Sequence, residues 1–453
     1  METKAKWLWK KTLTENFFET FAISYQLSIV TREPLLEEQL IRALTICQRK
    51  VLPLRTCYGE RDGETWLREM TQEIVDFELL SDDEKNEDLH RRLHGYNFNT
   101  QTGPLWCVKL RRDSHSSPEC VFSEEVPGFP HKYSLFLGIN HAITDGTSNV
   151  IICGFLIQIL EDVLFGKEIN DKEQLGVFIS DEKTNKVKQE QVAVVKGNPE
   201  LQRTLIKDWQ VLQERRSIHK AIFKGVGEKK ARTAFLTQSL DAETTAAFIK
   251  RCRVEGVTVN SAFTAVCNFA MVDLLVSGGL EQDSYSIQST HVLNTRRYWE
   301  DGTSQYLGCH ISLLSGILET PRNFGENFWK HVKPINEEFQ MKFKSAYSLQ
   351  LEGVKELVSE TPDFDPTYEF EFCLTNMGLL SKSMTEGGDH VRAVHLLRTV
   401  DLNDVSCIYN NFLHTLNRRL THTLVYNTSL ATSHMAKLFC ERAFHYLQAS
   451  LKI

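Results

Sequence analysis

Leu135-Phe136-Leu137-Gly138-Ile139-Asn140-His141-Ala142-Ile143-Thr144-Asp145-Gly146 is the stretch on which the reading of this chain turns. Residues 133–139 are almost wholly apolar, the pattern of a strand buried on both faces and central in its sheet. The run delivers His141, Asp145 follows four residues on, and Gly146 gives the backbone freedom to bend. Residues 148–165 are apolar and read as a helix, with Gly166 as its natural C-terminal cap. A rigid strand end followed by a turn is a good place for a base, and an imidazole that is neutral near pH 7 can take a proton from a nucleophile. The bland readings stand beside this one. A histidine after a buried strand is usually a satisfied polar residue, and Asp145 before Gly146-Thr147-Ser148 can be a helix cap alone.

Working outward, the N-terminal half alternates helices and strands. Pro34 opens a helix whose Leu36, Leu40, Ala43, Leu44 and Cys47 share one face. A short strand is expected over 51–57, a turn at Glu60-Arg61-Asp62-Gly63 and a return strand over 65–70. Asn97-Phe98-Asn99 and Gly103-Pro104 mark a loop, 105–110 a strand, and 114–130 a polar loop. Trp7, Trp9, Phe17 and Phe18 read as helix packing. Residues 167–200 are rich in Lys, Asp, Glu, Asn and Gln and read as an exposed, partly disordered linker.

A second lobe is expected from Arg232. It has a strand over 233–240, a helix over 241–253 capped by Asp241 and a long apolar helix over 260–275. Further strands are expected over 285–293 and 367–375, with helical structure over 324–358. Residues 405–414 and 421–426 read as an antiparallel pair across Asn417-Arg418-Arg419. A last amphipathic helix from about Ser433 turns Met435, Leu438, Phe439, Phe444 and Leu447 inward. The division is therefore 1–170, a linker and crossover over 171–231, and 232–453.

Composition bounds the function. The 453 residues carry 52 Lys plus Arg against 59 Asp plus Glu, a net charge of −7. That balance argues against nucleic acid as the main partner, which needs a cationic face. Eleven cysteines, an odd number without C-x-x-C, sit largely in apolar runs, as buried thiols do in a reducing compartment. No secretory signal, membrane span or metal site is read, and the cytoplasm is the expected setting. There is no G-x-S-x-G and no P-loop.

Asn140 to Gly146 resembles the H-H-x-x-x-D-G motif of the chloramphenicol-acetyltransferase-like superfamily, which includes condensation domains and alcohol acetyltransferases. Further segments match in order. They are the helix and Leu-Pro-Leu-Arg-Thr over 40–56, and Asn97-Phe98-Asn99 through Gly103-Pro104-Leu105-Trp106. Gly256-Val257-Thr258-Val259-Asn260, Asn294-Thr295-Arg296, Tyr306-Leu307-Gly308 and Thr375-Asn376-Met377-Gly378 complete the series. The resemblance implies an α/β fold of two chloramphenicol-acetyltransferase-like lobes, each a mixed sheet with flanking helices, and an active-site tunnel between them. Two departures stand out: Asn140 occupies the first His position, and the plant-type D-F-G-W-G signature is absent.

The resemblance also implies roles. His141 is the general base that deprotonates an alcohol or amine acceptor, which attacks a thioester carbonyl. Asp145 belongs to the catalytic motif but pairs with an arginine, Arg296 by position or its neighbour Arg297, and so supports the loop. Gly146 keeps the cleft clear, and Asn140, Thr375 and Asn376 are candidates to meet the oxyanion or substrate. Lys224, Lys229 and Lys230, with Arg232, are candidates for coenzyme A phosphates, although a solvated loop is the commoner meaning of such a run. The expected function is acyl transfer from acyl-coenzyme A as co-substrate, with no permanently bound cofactor. A monomer is expected. The alternatives are an acyl carrier protein as donor, a wax-ester or diacylglycerol type of synthase, and a non-catalytic binding protein that keeps the fold.

Overall fold

The computed structural model describes residues 6–113, 119–122, 124–300, 305–323, 325, 328–358, 369–402 and 407–452. Parts of the loop expected over 114–130 and the first residues of the strands expected from 367 and 405 lie outside them. The chain forms two units, neither continuous in sequence. The first comprises residues 1–182, 301–310 and 379–401, and the second 183–300, 311–378 and 402–453.

The first unit is built on a five-stranded sheet in the order Val391–Val400, Ala22–Thr31, His131–Asn140, Trp106–Asp113, Phe77–Leu79. His131–Asn140 holds the middle place expected from its apolar run. It pairs antiparallel with Ala22–Thr31, with Ala22 opposite Asn140 and Thr31 opposite His131. Ala22–Thr31 is buried at every position. Two of its polar residues find partners on distant elements: Ser24 Oγ lies 2.7 Å from His90 Nδ1, and Gln26 Nε2 donates to Ser134 Oγ at 3.0 Å. The helix Gly146–Phe165 starts on the Asp145 cap and stops at Gly166, whose φ of 78° only glycine adopts without strain.

A smaller sheet joins Trp7–Lys10, Glu64–Glu69 and Thr56–Arg61. The expected hairpin is present, with positive φ at Asp62 and Gly63, the backbone of a tight two-residue turn. The strand expected from residue 51 begins later. Leu52–Arg55 is a 3₁₀ turn, consistent with Pro53 near its start, and the extended backbone begins at Thr56. Trp7 and Trp9 lie on a strand, not on a helix as expected.

In the second unit a six-stranded sheet runs Ile311–Pro321, Ser284–Asn294, Phe372–Leu379, Tyr409–Leu416, Arg419–Asn427, Thr233–Ser239. Ser284–Asn294 and Phe372–Leu379 pair parallel, the hairpin Tyr409–Leu416 and Arg419–Asn427 is antiparallel, and Arg419–Asn427 also pairs antiparallel with Thr233–Ser239. Asn417 and Arg418, both at positive φ, make the turn between Tyr409–Leu416 and Arg419–Asn427. The helices Val259–Ser277 and Ser433–Ser450 supply Phe263, Phe269, Phe439 and Leu447 to the core, with Val332 and Phe339 from Phe328–Lys344. Asp241 caps the helix Ala242–Val254 through the Thr244 amide, as its sequence position predicts.

Two expectations about organisation are corrected. Much of the linker and crossover expected over 171–231, including the part of 167–200 read as exposed and partly disordered, is helical. Glu182–Lys196, Pro199–Glu214 and Ile218–Ile222 are helices, and Val195, Leu205 and Leu212 pack with Leu351 and Val354. Only Val192 and Val195 of the first helix and Leu205 and Leu212 of the second are buried, so the polar remainder dominates the composition. The second correction concerns the contiguous division 1–170 and 232–453. Val391–Val400 is an edge strand of the first unit's sheet, hydrogen-bonded along Ala22–Thr31, so late sequence completes the early fold.

Gly146–Phe165 and Val259–Ser277 are each long and apolar enough to cross a membrane, but 67% and 78% of those windows are buried inside the protein, which marks core helices. The eleven cysteines are free, and all but Cys120 are buried.

Candidate active site

His141 sits at the end of the central strand of the first unit, 9% exposed. Its backbone N–H donates to the Phe21 carbonyl at 2.8 Å. The imidazole is fixed from within its own turn, since Nδ1 lies 2.8 Å from the Thr144 carbonyl oxygen. A carbonyl only accepts, so Nδ1 carries the proton and Nε2 carries the lone pair. Burial pulls the ring's proton affinity below the ordinary histidine range, although hydrogen bonds and the Asp145 charge act the other way. The result is a neutral imidazole with one basic nitrogen, the form a general base requires. Phe18 lies flat against the ring, with centroids 4.1 Å apart and planes at 22°. Cys309 Sγ is 3.7 Å from Nδ1.

Asp145 is 1% exposed, and its two oxygens serve the main chain. Oδ1 accepts the Ser148 N–H at 2.8 Å and caps the helix Gly146–Phe165. Oδ2 accepts the His310 N–H at 2.9 Å. Ser148 Oγ donates to the Gly308 carbonyl at 2.9 Å and lies 3.0 Å from the Gly308 N–H. The segment 306–310 is thereby stapled to the start of the helix. Gly308 is required there: its φ is 135°, and a Cβ would meet the Ile179 carbonyl at 2.8 Å. Asp145 thus ties the start of the helix and the segment at His310 to the turn that follows His141. The reading of Asp145 as a helix cap is realised.

Asn140, a candidate to meet the oxyanion or substrate, also serves its own turn. Its Nδ2 donates to the Glu19 carbonyl at 2.7 Å, and its Oδ1 accepts the Ala142 N–H at 2.9 Å. These contacts engage the oxygen and one of the two N–H donors of the amide. Gly146 is the first residue of its helix.

The remaining candidates belong to the second unit. Arg296 is fully buried on a 3₁₀ turn after Ser284–Asn294, its Nη1 3.2 Å from Asn294 Oδ1. Thr375 and Asn376 lie on Phe372–Leu379, and Asn376 Oδ1 accepts the Gly378 N–H at 2.8 Å. Lys224, Lys229 and Lys230 are exposed on the loop before Thr233–Ser239, where Arg232 is paired with Glu228 at 2.9 Å. No group of three His, Cys, Asp or Glu among the described residues is disposed to hold a metal ion.

Sequence reasoning missed Phe18, Cys309 and the Thr144 carbonyl. It also missed a cavity of about 10 Å³ beside Ala142 and Cys309, walled by Trp9, Glu15, Phe178 and Asp181. That volume suits one water and no acyl chain. Glu15 is pushed up to about 7 by burial there, against the pull of its hydrogen bonds.

No protein-family model matches the sequence, and no curated protein matches it. Solved structures do. The first condensation domain of the CDA synthetase superposes with a TM-score of 0.67 at 13% identity, covering 100% of this chain and 97% of that one. The trichothecene 15-O-acetyltransferase of Fusarium sporotrichioides gives 0.64 at 12%, over 98% and 95%. The epimerization domain from the third module of tyrocidine synthetase B gives 0.64 at 13%, over 99% of both.

The chain has the chloramphenicol-acetyltransferase-like fold. In this fold the H-x-x-x-D-G stretch stands where the sequence places it, at the end of a central strand and on the cap of the following helix. The substituted first position of the motif, Asn140, keeps that turn closed through its two amide contacts.

Proposed function

We propose that the protein is an acyltransferase in which His141 Nε2 is the general base, moving an acyl group from a thioester to an alcohol or amine. The single observation that supports this most is the bond from Nδ1–H to the Thr144 carbonyl, which fixes the tautomer with Nε2 unprotonated. Nε2 takes the proton of the acceptor O–H or N–H as that atom attacks the thioester carbonyl. A tetrahedral oxyanion forms and collapses with loss of thiolate, which recovers the proton from the imidazolium. No acyl-enzyme is needed, because binding both substrates supplies the proximity. Thr375 is the proposed oxyanion donor and Arg296 the proposed partner of Asp145.

Acyl-coenzyme A is the proposed donor, with Lys224, Lys229 and Lys230 as its proposed phosphate contacts. A carrier-protein thioester is the second reading, favoured by the likeness to condensation domains. A cytoplasmic setting is proposed from the eleven free thiols. The test is thiol release from a panel of acyl-coenzyme A esters and loaded carrier proteins against pooled alcohols and amines, with mass spectrometry of products. Turnover of the coenzyme A esters is expected; turnover of carrier thioesters alone would replace the donor. No thiol release with any donor would leave a binding protein.

A further inference from the structure

The segment over residues 12–21 braces His141 by three separate contacts. The Asn140 side chain reaches the Glu19 carbonyl, the His141 N–H reaches the Phe21 carbonyl, and the Phe18 ring covers one face of the imidazole. The brace is itself built. Thr12 Oγ1 accepts the Glu15 N–H at 3.2 Å, and Glu15 Oε2 accepts the Thr12 N–H at 2.7 Å. Glu15 Oε1 accepts the Trp9 indole N–H at 2.9 Å, and Lys11 pairs with Glu19 at 2.6 Å. Phe17 stands edge-on to Phe18 at 4.8 Å, and Phe21 packs against it at 5.9 Å. Phe18 is therefore held in place from two sides.

We propose that Phe18 is a positioning residue for the proton transfer, locking the rotation of the His141 ring and keeping water from one of its faces. The proposal deepens the reading of His141 as the base and rests on it. One hydrogen bond at Nδ1 fixes the tautomer but restrains the swing of the ring about Cβ–Cγ at one point only. A flat wall at stacking distance removes the swing, and with it the range of directions Nε2 can point. The same wall disfavours the charged imidazolium by desolvation. Among the described residues of the first unit, Asp145 from its own turn, Arg398 from the strand Val391–Val400 and the Cys309 thiol also act on the ring.

The test is an NMR titration of the full-length protein with labelled histidine, the His141 signal being assigned by its absence in His141→Gln. Steady-state kinetics on the substrate that releases thiol run alongside. Phe18→Ala is expected to raise the His141 midpoint by about one pH unit. It is expected to lower kcat at least about tenfold with KM changed less than about twofold. Phe18→Tyr, which keeps the ring, is expected to restore both. If Phe18→Ala does not fold, Phe18→Leu replaces it, with the kcat loss as the readout. An unmoved midpoint in folded Phe18→Ala, or unchanged kcat in folded Phe18→Leu, overturns the proposal. A moved midpoint in a protein that releases no thiol from any donor sustains the shielding of the ring and overturns acyl transfer instead.

Discussion

His141 donates from Nδ1 to the main-chain oxygen of Thr144 at 2.8 Å, three residues further along the same turn. Because the acceptor is a backbone atom, no side-chain substitution removes it, and the tautomer is a property of the turn itself. The expected ¹⁵N spectrum of labelled His141 near pH 7.5 shows a protonated Nδ1 and an unprotonated Nε2. The reverse assignment would leave no base aimed away from the turn.

Asn140 closes that turn through its side-chain amide. Asn140→Ala removes the bonds to Glu19 and Ala142 and leaves a buried N–H and carbonyl unpaired. A loss of about 1–3 kcal/mol in stability is expected by denaturant unfolding, with KM nearly unchanged. A large fall in kcat at full stability would instead give Asn140 a direct role at the oxyanion or substrate.

Asp145 offers one oxygen to Ser148 and the other to His310, so Asp145→Asn must turn an amide NH₂ toward a main-chain N–H. The expected cost is about 1–3 kcal/mol, with a fall in kcat from the displaced turn. The proposed pairing with Arg296 is tested by a double-mutant cycle with Arg296→Ala. A coupling energy of about 1–3 kcal/mol is expected; additive effects contradict the pair.

Acid weakens this fold. Burial holds His94 down at about 4 and His219, His291 and His422 at about 3, against 6.5 for the free side chain. The unfolded chain therefore binds protons between pH 6.5 and 3 that the folded rings refuse, so stability is full above 6.5 and falls as pH drops through that window. Glu15 acts oppositely: raised from 4.5 to about 7, it contributes stability below 4.5 that is lost as pH rises through 7. Four rings outweigh one carboxyl. Tm in a pH series is expected to fall by at least about 5 °C from pH 6.5 to pH 4. A flat or rising Tm there would contradict the burial of neutral histidines.

Much of the architecture is legible where local chemistry and long-range packing agree. The central strand ending at His141, the helix from Asp145 to Gly166, the Asp62-Gly63 turn and the Asn417-Arg418 turn each carry their own signal in turn or cap residues. Ala22–Thr31 does not, because Ser24, Gln26 and Ser28 look solvent-facing until His90 and Ser134 are brought to meet Ser24 and Gln26. The exchange of Val391–Val400 into the first sheet is a topological fact with no local signature. At the site, the motif exposes His141 and Asp145, whereas Phe18 reaches the imidazole from 123 positions earlier in the chain, a contact that no periodicity encodes.

The most direct test of the account is thiol release by wild type and His141→Ala with the best donor and acceptor pair, folding being verified by unchanged Tm. The account predicts a loss of at least about a hundredfold in kcat, the usual range for removing a general base. Wild-type turnover in a folded His141→Ala protein would contradict it.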